Sequence, residues 1–112
     1  MKITAVVPCY NEQEALGLFY EELNRVTAEM RDCEFEILFV NDGSKDRTLG
    51  LMKELAEKDG RVKYISFSRN FGKEAAIYAG LEHASGDLVA IMDADLQDPP
   101  RLLPEMYRAV TE

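Results

Sequence analysis

The chain has 112 residues, enough for one hydrophobic core and too few for several domains. With 46% apolar residues it reads as globular rather than disordered, and a net charge of −8 argues against a nucleic-acid surface, which carries the opposite sign. An anionic substrate fits only if a divalent cation bridges it to carboxylates.

Residues 3–7 read as a buried strand ending at Pro8. Asn11 is placed to cap the helix that follows, with Glu12 and Glu14 in the first turn where acids suit the dipole. Leu16, Phe19, Leu23, Val26 and Met30 then recur at spacings of three and four, while Glu21, Glu22, Arg25 and Glu29 fall elsewhere around the helix. A second strand covers 35–40 and stops at Asn41-Asp42-Gly43-Ser44. Asp46 is a candidate cap for a second helix, with Met52, Leu55 and Ala56 inward and Gly60 ending it. Residues 62–67 form a third strand whose mixed faces suit a place near a sheet edge. The third helix carries Ala75, Ala76, Ala79, Gly80 and Ala84, small residues that let it sit close to a sheet. After Ser85-Gly86 comes a continuous apolar run, Leu88-Val89-Ala90-Ile91-Met92, as expected of a strand buried on both faces. Pro99 and Pro100 then force the backbone out of the ladder, and a last helix starts near Pro100 or at Pro104.

Cys9 and Cys33 form no C-x-x-C pair, so two reduced thiols are expected. The start of the chain runs directly into a strand pattern with no signal-peptide h-region, and no apolar run approaches the ~18–20 residues of a membrane span. A soluble, cytoplasmic chain is the expectation.

Strand and helix alternate four times with short connections. The expected fold is α/β: a mostly parallel sheet of about four strands, helices on both faces, right-handed crossovers. In such a sheet every strand-to-helix loop opens on the carboxyl edge, where ligands bind. Those loops are 8–12, 41–46, 68–73 and 93–100, and they hold most of the ligand-capable side chains. The opposite loops, 31–34, 58–61 and 85–87, carry ordinary turn residues. Asp93 and Asp95 stand one residue apart, so in extended backbone their oxygens point the same way, as Mg²⁺ or Mn²⁺ requires; Gln97 can add a neutral oxygen. Asp98 is expected to face solvent or the last helix. Asp42 can accept hydrogen bonds from a base or ribose, or else merely close its own loop. Tyr10 can stack on a base or serve as half-buried core. Arg69 and Lys73 can meet a diphosphate. His83 reads as an ordinary helix-surface residue. No G-x-G-x-x-G and no G-x-x-x-x-G-K-[ST] is present, so neither a dinucleotide fold nor a P-loop is supported.

Four ordered motifs carry a resemblance. They are Val7-Pro8-Cys9-Tyr10-Asn11-Glu12, Val40-Asn41-Asp42-Gly43-Ser44-Lys45-Asp46-Arg47-Thr48, Ser68-Arg69-Asn70-Phe71-Gly72-Lys73 and Asp93-Ala94-Asp95-Leu96-Gln97-Asp98-Pro99-Pro100. Together they resemble the family 2 glycosyltransferases of the GT-A type, within them the polyprenyl-phosphate (dolichol-phosphate mannose synthase-like) branch. The resemblance implies that Pro8, Tyr10, Glu12, Val40 and Asp42 hold the base and ribose, and that Asn11, Lys73, Asp93 and Ala94 complete the nucleotide-sugar contacts. It implies that Asp93 and Asp95 are the catalytic D-x-D that binds Mg²⁺ or Mn²⁺ and the donor diphosphate, with Gln97 in the metal shell. The implied reaction moves a sugar from a UDP- or GDP-sugar to a lipid phosphate, with inversion, at the cytoplasmic face of a membrane. A phosphate acceptor is already anionic and needs little general-base help.

Relatives of this kind continue well past the D-x-D motif. The 112 residues therefore read as the N-terminal donor-binding part of a larger enzyme, inactive alone and open to self-association through uncovered apolar surface. Two other readings compete: a non-catalytic nucleotide-sugar-binding module and a receiver-type signalling domain. The receiver reading lacks an acidic pair after the first strand and a lysine on a fifth strand.

Overall fold

Two strands, β1 (Lys2–Cys9) and β2 (Glu34–Asn41), are buried along nearly their whole length. They pair in parallel, from Lys2 opposite Glu34 to Cys9 opposite Asn41. The computed structural model describes residues 1–95 and 100–111. Gln97 and Asp98, for which a metal shell and a solvent or helix contact were expected, lie outside the described residues. Strand β3 (Val62–Ser66) pairs with the far side of β2, and β4 (Leu88–Ile91) with the far side of β1. The sheet is parallel throughout, in the order β3-β2-β1-β4. Its helices are α1 (Leu16–Glu29), α2 (Thr48–Lys58), α3 (Lys73–His83) and α4 (Leu103–Thr111), the last entered through a 3-10 turn at Pro100–Leu102.

Alternation along the strands decides which face each helix covers. Ile3, Ala5, Val7 and Cys9 of β1 and Phe35, Ile37 and Phe39 of β2 share one core with Leu16, Phe19, Leu23 and Val26 of α1, Met52 of α2 and Leu103 of α4. Phe19 meets Phe39 edge-on, ring centroids 6.4 Å apart. The even-numbered residues Val6, Leu38 and Val40 are also buried, on the opposite face, beneath α3. The small-residue stripe makes that approach possible. A Cβ added at Gly80 would run into Val6 Cγ1, and Ala76 is fully buried one turn earlier. The chain advances from β1 to β3 with α1 and α2 on one face. It then crosses back under α3 to lay β4 on the other side of β1, so strand order reverses between β1 and β4.

Three expectations are corrected. Strand β4 is not buried on both faces: it borders the described sheet, and Ile91 is 41% exposed. An apolar run records a strand's composition, not how many neighbours it will find. Asn11 does not cap α1. It sits at φ 52, the helix begins only at Leu16, and Glu12 and Glu14 precede the first turn. The Glu12 carbonyl instead accepts the N–H groups of Ala15 and Leu16 at 3.1 and 2.9 Å. The last helix starts between the two expected prolines, Pro100 opening the 3-10 turn and Pro104 lying one residue inside α4. The expectation of β3 at a sheet edge holds.

On the α3 face, near the amino ends of the strands, lies a polar cluster that the hydrophobic pattern did not reveal. Glu36 is 3% exposed in the middle of the sheet. Its oxygens accept from Thr4 Oγ1 (2.9 Å), Lys63 Nζ (2.9 Å), Ser85 N (3.0 Å) and Ser85 Oγ (3.0 Å), and Gly86 N donates to Thr4 Oγ1 at 2.9 Å. This fastens the turn between α3 and β4 to the central strands. Burial alone would raise the Glu36 pKa, but the Lys63 ammonium, the Ser85 N–H and the Thr4 and Ser85 hydroxyls outweigh it and hold the carboxyl at about 2 against an ordinary 4.5.

A carboxyl depressed in this way contributes stability above its unfolded pKa, and that stability disappears as pH falls from about 4.5 through about 2. We expect Glu36→Gln to lower unfolding free energy at pH 7 by at most about 3 kcal/mol, less where the half-exposed Lys63 is screened, and to cost little near pH 2. Urea titrations across that range measure it; equal losses at both ends would show that the charge is not the stabilising element. Gly80→Ala gains about 1 kcal/mol of helix propensity yet should lose about 1–3 kcal/mol by overpacking against Val6. A raised denaturation midpoint would mean that α3 can lift from the sheet at no cost.

Candidate functional site

A cleft of about 170 Å³ opens at the carboxyl edge, lined by Pro8, Cys9, Tyr10, Glu12, Asp42, Lys73, Asp93, Ala94 and Asp95. It lies where strand order reverses between β1 and β4, bordered by the loops that follow those two strands and by the start of α3. Of the residues expected to bind nucleotide sugar or metal, Pro8, Tyr10, Glu12, Asp42, Lys73, Asp93, Ala94 and Asp95 meet here. Asn11 and Val40 are not among the lining residues. Val40 has 0% exposure and packs inside the sheet.

One wall of the cleft is built from interlocked loops. Asn11 N donates to Ser44 Oγ at 2.9 Å and Asn11 Oδ1 accepts from Lys45 N at 2.8 Å, so its left-handed backbone serves as a bracket between the loops after β1 and β2. Glu12 N donates to Thr48 Oγ1 at 2.8 Å. The N-cap of α2 is Arg47 rather than the expected Asp46, which stands one residue earlier and accepts Thr48 N at 2.9 Å. Asn41 accepts Ser44 N through Oδ1 at 3.0 Å and donates to Ser66 Oγ at 3.1 Å, tying β2 to β3. Asn41, Ser44 and Thr48 were legible only as loop residues; hydroxyl and amide side chains that cluster in two adjacent loops were the available signal.

Asp42 anchors a second element, which neither expected role foresaw. It is 3% exposed, and its Oδ1 accepts Phe71 N at 2.7 Å while its Oδ2 accepts Asn70 Nδ2 at 3.0 Å and Gly72 N at 3.1 Å. A carboxylate just past β2 thereby occupies the N-terminal end of α3, where Gly72 at φ 105 has no side chain to offer. The two loops touch backbone to backbone. A Cβ at Gly43, itself at φ 69, would collide with the Arg69 carbonyl carbon and Asn70 N. Arg69 does not line the cleft but lies over the Phe71 ring, 4.6 Å from its centroid.

The other wall is acidic. Asp93 Oδ1 lies 2.8 Å from Lys73 Nζ, and Asp95 is exposed at the mouth. Burial raises the Glu12 pKa, and the charges of Asp95, Asp93 and Asp46 push it further in the same direction. Burial likewise pushes the Cys9 thiol up, reinforced by Glu12 and Asp93. Carboxylates thus crowd this cleft strongly enough to disfavour further negative charge, a setting that attracts cations. Among the described residues no group of three or more His, Cys, Asp or Glu is assembled to cage a metal ion. The donor set suits instead a hard ion held by one or two carboxylates and completed by phosphate oxygens and water.

The chain is similar to known proteins along nearly its whole length. The bactoprenol glucosyl transferase of Shigella phage SfV is 51% identical over 106 residues, covering 95% of this chain and 34% of its own length. The putative glycosyltransferase CsbB of Bacillus subtilis is 50% identical over 110 residues, covering 98% of this chain and 33% of its own. The chain thus spans about a third of the curated relatives it matches. Among solved structures, the mannosyltransferase PcManGT from Pyrobaculum calidifontis, in complex with GDP-Man and Mn²⁺, shares the fold at a TM-score of 0.82 and 24% identity, over 98% of this chain and 32% of that one. S. aureus TarS 1-349 in complex with UDP-GlcNAc aligns with a TM-score of 0.76 and 26% identity, over 97% of this chain and 30% of that one. These matches set aside the receiver reading. The family described as Glycosyl transferase family 2 matches residues 4–112, and the chain belongs to that family.

Proposed function

We propose that this chain is the donor-binding part of a glycosyltransferase that moves a sugar from a UDP- or GDP-sugar to a polyprenyl phosphate with inversion. The carrying observation is the cleft where strand order reverses, which unites Tyr10 and Glu12 with Asp42, Lys73, Asp93 and Asp95. The bactoprenol glucosyl transferases among the relatives at about half identity favour a glucosyl donor and bactoprenol as acceptor, and the complex of TarS favours a uridine nucleotide.

In this reading Tyr10, 43% exposed at the rim, offers its ring face to the base. Pro8 and Ala94 supply close apolar walls, and Val40 and Asn11 act from behind by holding the strand and loop that present the others. Asp93 and Asp95 would hold Mg²⁺ or Mn²⁺ against the diphosphate, with Gln97 as a further candidate ligand. A divalent ion there supplies charge neutralisation for the departing nucleoside diphosphate. Lys73 adds a positive charge beside Asp93 for the same leaving group. The acceptor phosphate is its own nucleophile, so no side chain need remove a proton. Among the described residues no helix is long and apolar enough to cross a membrane; a polyprenyl acceptor nevertheless brings the reaction to a membrane surface, in this proposal the cytoplasmic one.

A thermal-shift panel of UDP, GDP and their sugar conjugates, with and without Mn²⁺, tests the reading. One nucleotide should stabilise the chain only when metal is present, by about 2.7 kcal/mol at a hundredfold excess over Kd. Asp95→Ala should remove the metal requirement together with the shift. Equal stabilisation in EDTA would sink the proposed D-x-D role. Sugar transfer to a polyprenyl phosphate by these 112 residues alone is not expected, and turnover would show that donor binding is not their whole contribution.

A further inference from the structure

Asn70 has no part in the reading above and does not line the cleft. It nevertheless holds the side chain on which both adjoining loops converge. Its Nδ2 donates to Asp42 Oδ2 at 3.0 Å and to the Asp42 carbonyl at 3.2 Å. The next two residues offer backbone N–H groups to the same carboxylate, Phe71 at 2.7 Å and Gly72 at 3.1 Å. Lys73 follows at once as the first residue of α3, and its ammonium lies 2.8 Å from Asp93. Three peptide bonds therefore separate Asn70 from Lys73, which carries the cation of the cleft.

Two backbone N–H groups can pivot about a carboxylate. A third donor that also grips the carbonyl of the same residue fixes the plane of the carboxylate against its own backbone. The turn has no other side chain to fix it at Gly72, which at φ 105 occupies a region that glycine alone enters freely and has nothing within 4 Å of where its Cβ would be. We propose that Asn70 is a positioning residue for the nucleoside diphosphate. By locking Asp42 it fixes the 70–72 turn, and with it the direction in which α3 presents Lys73 to Asp93 and to the phosphates. The inference rests on the donor-binding role proposed above and assigns Asn70 no contact with ligand.

The test is a double-mutant cycle on the whole chain, with UDP and GDP binding measured calorimetrically in Mn²⁺. Asn70→Ala should weaken the nucleotide that binds by roughly tenfold, Lys73→Ala by at least as much, and the double variant little more than Lys73→Ala alone. Losses that simply multiply would overturn the proposal, since a residue that only stabilises the fold does not act through Lys73. A second readout needs no ligand: the Asp93 carboxyl carbon resonance should move in Asn70→Ala in the same direction as in Lys73→Ala. An Asp93 resonance unmoved by Asn70→Ala refutes the positioning role. If neither nucleotide binds the wild type, the donor-binding reading fails while the resonance still decides the link from Asn70 to Asp93. Asn70→Ser, which keeps a donor on a shorter arm, gives the same two readings at smaller amplitude should the alanine variant not fold.

Discussion

A carboxylate buried at the end of a central strand is costly unless its charge is met, and at Asp42 it is met by N–H groups that belong to a different element. The arrangement solves two problems at once. The buried anion gains donors at hydrogen-bonding distance, and α3 gains the negative charge that its glycine N-cap cannot supply. Removing either partner would strand the other, the orphaned N–H groups being as unfavourable as the bare carboxylate. Gly43 and Gly72 are the backbone conditions for this contact, one permitting the approach and the other the turn.

α3 lies over β1 and β2 through Gly80 against Val6, and is tied at both ends by acids in or just after β2: Asp42 at its start, and Glu36 through Ser85 just past its end. The acids stand at opposite ends of one strand.

Much of this was legible from residue order. The four apolar stretches, the α1 stripe from Leu16 to Val26 and the gathering of polar residues at one edge follow from periodicity and turn chemistry, and they appear as expected. What escaped is non-local. Asn11 has the spacing of a helix cap, but the hydrogen bonds offered by Ser44 and Lys45, more than thirty positions away, draw it elsewhere. The run ending in Met92 has the composition of a central strand, yet only β1 pairs with it among the described residues. Glu36 interrupts an apolar strand without any local sign that Thr4, Lys63 and Ser85 will surround it. Asp42 could be foreseen as a loop closer or a ligand contact, not as the anchor of a helix three elements later.

The edge position of β4 divides the cleft into two mechanical halves. Pro8, Tyr10 and Asp42 extend from strands paired on both sides and from loops laced to one another, so their geometry is set before any ligand arrives. Asp93, Ala94 and Asp95 hang from a four-residue strand whose described ladder runs along one side only. Segments with fewer backbone partners open at lower free energy. On the donor-binding proposal, selection of the base would thus fall to the doubly paired half, and accommodation of the diphosphate to the acidic half.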